Sequence, residues 1–305
     1  MRIGITIDGG ATPEQTVARA AEIEQDGFDS FWMSHIFGAD ALMMLALVGQ
    51  RTSRIELGTA VVPVYGRHPV ALAQQALTAQ AASDGRLALG IGLSHQIVVE
   101  NMWGLSYERP AAHMREYLSV LGPLLREGKV SFSGEVFRVN GNVQVASATP
   151  PTLLIAALAP VMLRIAGEMT DGTVTWMSGI KTIETHIAPR INRAAKAAGR
   201  PQPRVCASLP IAVTDDVARA RQLAAQVFQV YGQLPNYQRV LAKQGAQGPA
   251  DVAIVGNEAE AEQQLRALAS AGATDFLAAI LPVGDQPDAS YARTMALLKG
   301  LVGKV

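Results

Sequence analysis

Three histidines and an arginine stand where apolar runs of the chain give way to polar ones. His35 follows "SFWMS", Arg67 and His68 lie together in "VVPVYGRHP", and His95 follows "LALGIGLS". Imidazole exchanges a proton near neutral pH and serves as general acid or base, whereas a guanidinium grips carboxylates and phosphates. His95 is the first candidate for a proton donor and His35 the second; Arg67 and His68 suit the orientation of a ligand. Quieter roles are open to each. His35 also fits a helix entry bonded to backbone, and Arg67 and His68 also fit a solvated loop. His95 has a further recommendation, since Gly90 and Gly92 just before it let something approach the backbone closely. Tyr65, Trp103, Trp176 and Met177 add apolar surface nearby, while Met43, Met44, Met162 and Met177 also read as core filler. "AALAP" leads into an amphipathic run, as a tight turn does, and a helix N-terminus there offers free N–H groups to a phosphate.

These residues need elements to bring them together. Eight apolar runs, "RIGITI", "DSFWM", "IELGTAVV", "RLALGIG", "TLLIAA", "GTVTWM", "RVCASLPIAV" and "TDFLAAI", each precede an amphipathic stretch. Such alternation predicts parallel strands joined by right-handed crossovers. Eight units at this length predict one (β/α)8 TIM barrel over residues 1–305 as a single domain. In that fold the residues after each strand gather on one face, and every candidate above follows a strand. Asp29, Asp84 and Asp171 precede strands, which assigns them turn-forming places at the opposite end. Two insertions interrupt the pattern: a hairpin near 129–139 around Ser133-Gly134, and extra helices near 218–257 that include "YGQLPNY" as a loop. Thr12, Pro13 and Gln15 spell a capped helix start. A doubly wound nucleotide-binding sheet is excluded by the lack of a G-x-G-x-x-G turn, since "GIGLSH" has His95 where the third glycine belongs.

Composition narrows the function classes. The 305 residues are 49% hydrophobic and 17% charged, with 26 basic and 26 acidic side chains. That balance argues against nucleic acid and anionic membranes as partners. One cysteine, Cys206, excludes an internal disulfide. "MRIGITI" reads as a strand rather than a signal core, and the apolar runs are shorter than a membrane span, so a cytoplasmic protein is expected. No metal-ligand spacing, G-x-S-x-G elbow, P-loop or strand-end acidic pair is present. A mouth with neither metal nor nucleophile of its own implies a bound cofactor for the hard step.

"GFDSFWMSHIFG", "LGTAVVPVYGRHPVALAQQ", "RLALGIGLSHQIVVE" and "AALAPVMLRIAGEMTDGTVTWMSG" occur in the order found in luciferase-like flavin and deazaflavin oxidoreductases, and the chain resembles the branch that uses coenzyme F420. The resemblance implies a luciferase-like barrel that transfers hydride between reduced cofactor and a small apolar or aromatic substrate, and a homodimer. It places His35 beside the deazaflavin ring. It places a non-proline cis peptide bulge behind that ring, at Ala60 and Val61 next to Thr59, and the cofactor phosphate at Ala157, Leu158, Ala159, Pro160 and Val161. Tyr65, Arg67, His68 and Trp176 remain for substrate. Three departures stand out: Ser34 where an Asp commonly precedes the histidine, Ala159 for a glycine of the phosphate turn, and His95 for the Glu of the sugar-phosphate dehydrogenases. The last makes a sugar phosphate a poor substrate. An FMN-dependent monooxygenase is the alternative, and a non-catalytic cofactor-binding barrel ranks third.

Overall fold

The computed structural model describes residues 1–305. Eight parallel strands close on themselves: β1 (Arg2–Ile7), β2 (Ser30–Met33), β3 (Glu56–Thr59), β4 (Leu87–Gly92), β5 (Thr152–Ala156), β6 (Gly172–Trp176), β7 (Arg204–Val213) and β8 (Asp275–Ile280). Each pairs with the next, and β8 pairs with β1. With helices packed around it, this is the (β/α)8 barrel that the alternation predicts. The eight expected strands are all there.

Local chemistry starts the helices where the sequence says. Thr12 and Gln15 form a reciprocal capping box before Pro13–Gln25. Asp40 caps Ala41–Gly49 by accepting from the N–H groups of Leu42 and Met43. The expected hairpin pairs Lys129–Ser133 with Arg138–Asn142, and Glu116 holds its turn by accepting three backbone N–H bonds. Between β7 and β8 the extra helices run Val217–Val227, Gln229–Gln233 and Pro235–Gln244. "YGQLPNY" is therefore not a loop. It is one helix end and the next helix start, because Pro235 opens a helix as readily as it ends one. No helix is long and apolar enough to cross a membrane.

The barrel interior is built around Trp32. Its indole Nε1 donates to Ser30 Oγ at 2.8 Å, and a side-chain Cβ at Gly58 would fall 2.1 Å from its ring. Ala88, Leu154, Val174, Cys206 and Leu277 complete this layer. At the N-terminal end of the strands Arg204 reaches across to Asp275 (2.6 Å) and Glu56 (2.8 Å), and Arg2 joins Glu56 at 3.1 Å. Asp275 is 1% exposed. Asp29 and Asp171 do more than turn the chain: their carboxylates accept from Ile3 and Leu153 at the starts of β1 and β5. Asp84 keeps the expected turn role, with φ of 51°.

Candidate active site

The C-terminal mouth begins one layer above Trp32. Side chains alternate along a strand, so the next inward positions lie two residues beyond the interior set. They are Ser34, Gly90, Ala156, Trp176, Ser208 and Ala279. Only Trp176 is large. The floor of the mouth is thus broad and lined with small groups.

The wall at β3 departs from regular pairing. Gly58 pairs with Ala88, but Val62 pairs with Ile91, so β3 carries one extra residue. The bulge lies at Ala60–Val61, and the peptide bond joining them is cis, as the resemblance implied. A Cβ at Gly90 would stand 2.1 Å from the Thr59 carbonyl oxygen, and one at Gly92 would stand 2.6 Å from Val61 Cγ2. What approaches these glycines so closely is the bulge itself. Thr59 repairs the interrupted ladder: its hydroxyl donates to the Gly90 carbonyl (2.7 Å) and accepts from the Gly90 N–H (2.9 Å). That hydroxyl is fully engaged, so a cofactor role for Thr59 falls to its backbone.

His35 is held on two sides. Its Nδ1 accepts from the Ala41 N–H at 3.1 Å, which puts the ring proton of the neutral imidazole on Nε2. Nε2 lies 3.2 Å from Arg67 Nη2, so two donors face each other there. Arg67 is turned instead to Asp40, at 2.7 Å. Burial lowers the pKa of His35, the Arg67 charge lowers it further, and Asp40 opposes both. His35 is therefore neutral, with a spare N–H. His95 differs: no hydrogen bond engages its ring, and burial alone lowers its pKa.

Two expected ligand residues serve other ends. His68 is exposed and caps Pro69–Ala82 through Nδ1, which accepts from the Val70 N–H. Tyr65 is withdrawn from the opening. It is 6% exposed and stacks on His113 at 4.3 Å, with Tyr107 at 5.4 Å. Burial pushes its phenol pKa up to about 12, and the hydroxyl has no partner. Met44, Met162 and Met177 are buried as expected, whereas Met43 is 70% exposed on the outer face of its helix. Trp103 packs partly buried against the main core.

The turn after β5 leads into Pro160–Met169, whose start has no side-chain cap. Pro160 has no N–H, so the N–H groups of Val161 and Met162 are the free donors there. Sequence reasoning missed the residue that holds this turn. His186, buried in Ile183–Ile187, places Nε2 2.8 Å from the Leu158 carbonyl. Burial is the largest influence on its pKa, which is lowered even though that bond favours the charged form. A lone histidine in an amphipathic helix gives no sign of such a duty. Two surface clefts, one beside Leu77 and Leu124 and one beside Asn192 and Arg200, are lined by residues that lead into the starts of β5 and β7, away from the C-terminal mouth.

A parallel barrel with a bulged third strand and a small-residue floor defines the class. The sequence profile described as luciferase-like monooxygenase matches residues 1–302, and the chain belongs to that family of enzymes. It is 29% identical over 290 residues to 5,10-methylenetetrahydromethanopterin reductase of Methanolobus tindarius, covering 94% of this chain and 87% of that one. The fold matches coenzyme F420-dependent tetrahydromethanopterin reductase from Methanopyrus kandleri with a TM-score of 0.80 at 21% identity, over 100% and 98% of the two chains. It also matches the FMN-bound oxygenating constituent of 3,6-diketocamphane monooxygenase from Pseudomonas putida, with a TM-score of 0.77 at 17% identity over 99% and 97%.

Proposed function

We propose that this chain is a cytoplasmic oxidoreductase dependent on coenzyme F420, working as one catalytic unit over residues 1–305, that transfers a hydride between the reduced cofactor and a small apolar or aromatic compound. The observation that carries the reading is the Ala60–Val61 bulge, seated in the barrel wall by Gly90 and Gly92. It offers a backbone surface above a floor in which Trp176 is the only bulky side chain. The uncapped start of Pro160–Met169 supplies the complement, two N–H donors for a phosphate, with Ala157, Leu158 and Ala159 shaping the turn. The F420-named relative at 29% identity favours the deazaflavin over FMN.

When bound, reduced F420 supplies a hydride to an electron-poor carbon. The chain supplies the rest. His35, its ring fixed by the Ala41 N–H, would hold the cofactor ring at its side, and Asp40 pairs the neighbouring Arg67 charge. An imidazolium N–H of His95 provides the proton that completes a two-electron, two-proton reduction, and water restores it. Because burial lowers the His95 pKa, the protonated share falls as pH rises through a value below the ordinary 6.5. Reduction is therefore faster at pH 6 than at pH 8. His95→Asn lowers kcat by about 10²-fold and flattens that profile, with F420 affinity unchanged. A retained slope in the variant would remove His95 from the role.

Parallel titrations with F420 and FMN, read by cofactor fluorescence, test the cofactor. Tighter FMN binding with oxygen uptake would turn the reading to a monooxygenase, and binding without turnover to a non-catalytic barrel. We also propose a homodimer formed between second copies of Ala41–Gly49, where Met43 and Leu47 are 70% and 51% exposed. Light scattering at the monomer mass would overturn it.

A further inference from the structure

The wall opposite His35 has a chemistry of its own. His35 follows β2, and Trp176 ends β6, half-way round the closed strand order. Val174 lies in the barrel interior beside Trp32, so Trp176, two residues on, points inward over the mouth. The segment between β7 and β8 lays two more rings against it and a third behind them. Phe228 meets the indole at 5.6 Å and 75°, and Tyr231 at 5.7 Å and 72°. Tyr237 meets Tyr231 at 5.1 Å and 88°, and lies 5.7 Å from His95. The aromatic chain thus runs from β6 to the proposed proton donor.

Edge-to-face contacts of this kind suit a further flat ring. None of the four rings carries charge: burial pushes the pKa values of Tyr231 and Tyr237 upward, away from ionisation. One polar atom in the cluster stands out. Trp176 Nε1 is buried and donates to nothing. The nearby Tyr231 phenol feels this N–H, which lowers its pKa against the effect of burial, yet the two groups do not reach hydrogen-bond geometry. An indole N–H is a donor only, and a buried donor without a partner carries the full desolvation cost. An acceptor oxygen on a ligand relieves that cost.

Resting on the oxidoreductase reading above, we propose that the mouth takes a neutral aryl carbonyl compound, its ring among Trp176, Phe228 and Tyr231 and its carbonyl oxygen accepting from Trp176 Nε1–H. The hydrogen bond is what separates such a ligand from a hydrocarbon of the same shape. A site that offers a donor discriminates strongly against analogues that lack the acceptor.

Calorimetric titration with 2-acetylnaphthalene and 2-ethylnaphthalene tests this, on protein with and without F420. The ketone is expected to bind about fivefold to tenfold more tightly. Trp176→Phe should erase the difference between the two ligands, whatever it does to the affinity they share. Equal affinities in the unaltered protein, or a difference that survives Trp176→Phe, would overturn the proposal. A difference erased by Tyr231→Phe instead would also overturn it, by making the phenol the donor. F420 binding is scored separately. If F420 fails to bind and the ketone preference persists in the cofactor-free protein, the cofactor reading falls and the carbonyl site stands.

Discussion

The two ends of the barrel treat polar groups in opposite ways. At the N-terminal end, Arg204, Asp275, Glu56 and Arg2 are buried or half-buried and joined in one network. Burial by itself would raise the pKa of Asp275; the Arg204 bond and charge overcome that and hold it below the usual carboxylate value. At the C-terminal end, Thr6 Oγ1, Tyr65 OH, His113 Nε2, Trp176 Nε1 and Ser178 Oγ are buried without partners, whereas at the N-terminal end Arg86 Nε is left over on a guanidinium that donates four other bonds. Leaving a buried polar group unpaired costs stability, so such groups persist where something other than stability keeps them. One end closes the barrel. The other end leaves its buried polar groups unpaired.

Breaking the paired end should do the most damage. Asp275→Ala strips the more buried of Arg204's two carboxylate partners and leaves Glu56 as the other, an expected loss of about 3 kcal/mol in urea unfolding. A loss under about 1 kcal/mol would mean the network does not close the barrel. Gly90→Ala strikes the open end where it is tightest, against the Thr59 carbonyl. We expect a loss of about 1–3 kcal/mol together with a steep fall in F420 affinity, measured by fluorescence titration. Normal affinity in a destabilised variant would separate the bulge from the cofactor.

Acid sharpens the contrast. Burial lowers the pKa values of His113 and His186, with Glu116 opposing at His113. The unfolded chain takes up protons first as pH falls below about 6.5, so stability drops toward pH 5 as the folded values are approached. The lowered Asp275 acts only below about pH 4, the ordinary carboxylate range. Urea midpoints at pH 7.5 and 5.5 should therefore differ, and His113→Gln should narrow the gap. Equal midpoints would remove the histidines from the acid response. The smallest effect is expected at Tyr65→Phe. It removes a hydroxyl that bonds to nothing and should leave stability within about 0.5 kcal/mol of the parent.

What could be read from the sequence was local. The eight strands, the Thr12 cap and the hairpin depend on period, turn residues and neighbours a few positions away. The cis bulge was placed by resemblance, not by any pattern in "LGTAVV". The same holds in reverse for the misses. Glu56 and Arg204 lie 148 residues apart, and nothing local to either announces the pair. Gly90 and Gly92 signalled close approach, but only the fold shows that the approaching group is the neighbouring strand. Met43 looked like core because it is apolar, yet a surface can be apolar too. The aromatic roof over Trp176 lies in helices whose order could be read and whose crossing over the mouth could not.

Cys206 turns the closed end into a clock. It is the chain's only thiol, 0% exposed among the side chains that fill the barrel, and burial raises its pKa well above the ordinary value. A thiol reagent in solution can reach it only when strands part. The rate at which the native protein is labelled therefore counts barrel openings directly, one molecule at a time, and shows whether filling the mouth slows the breathing of the floor.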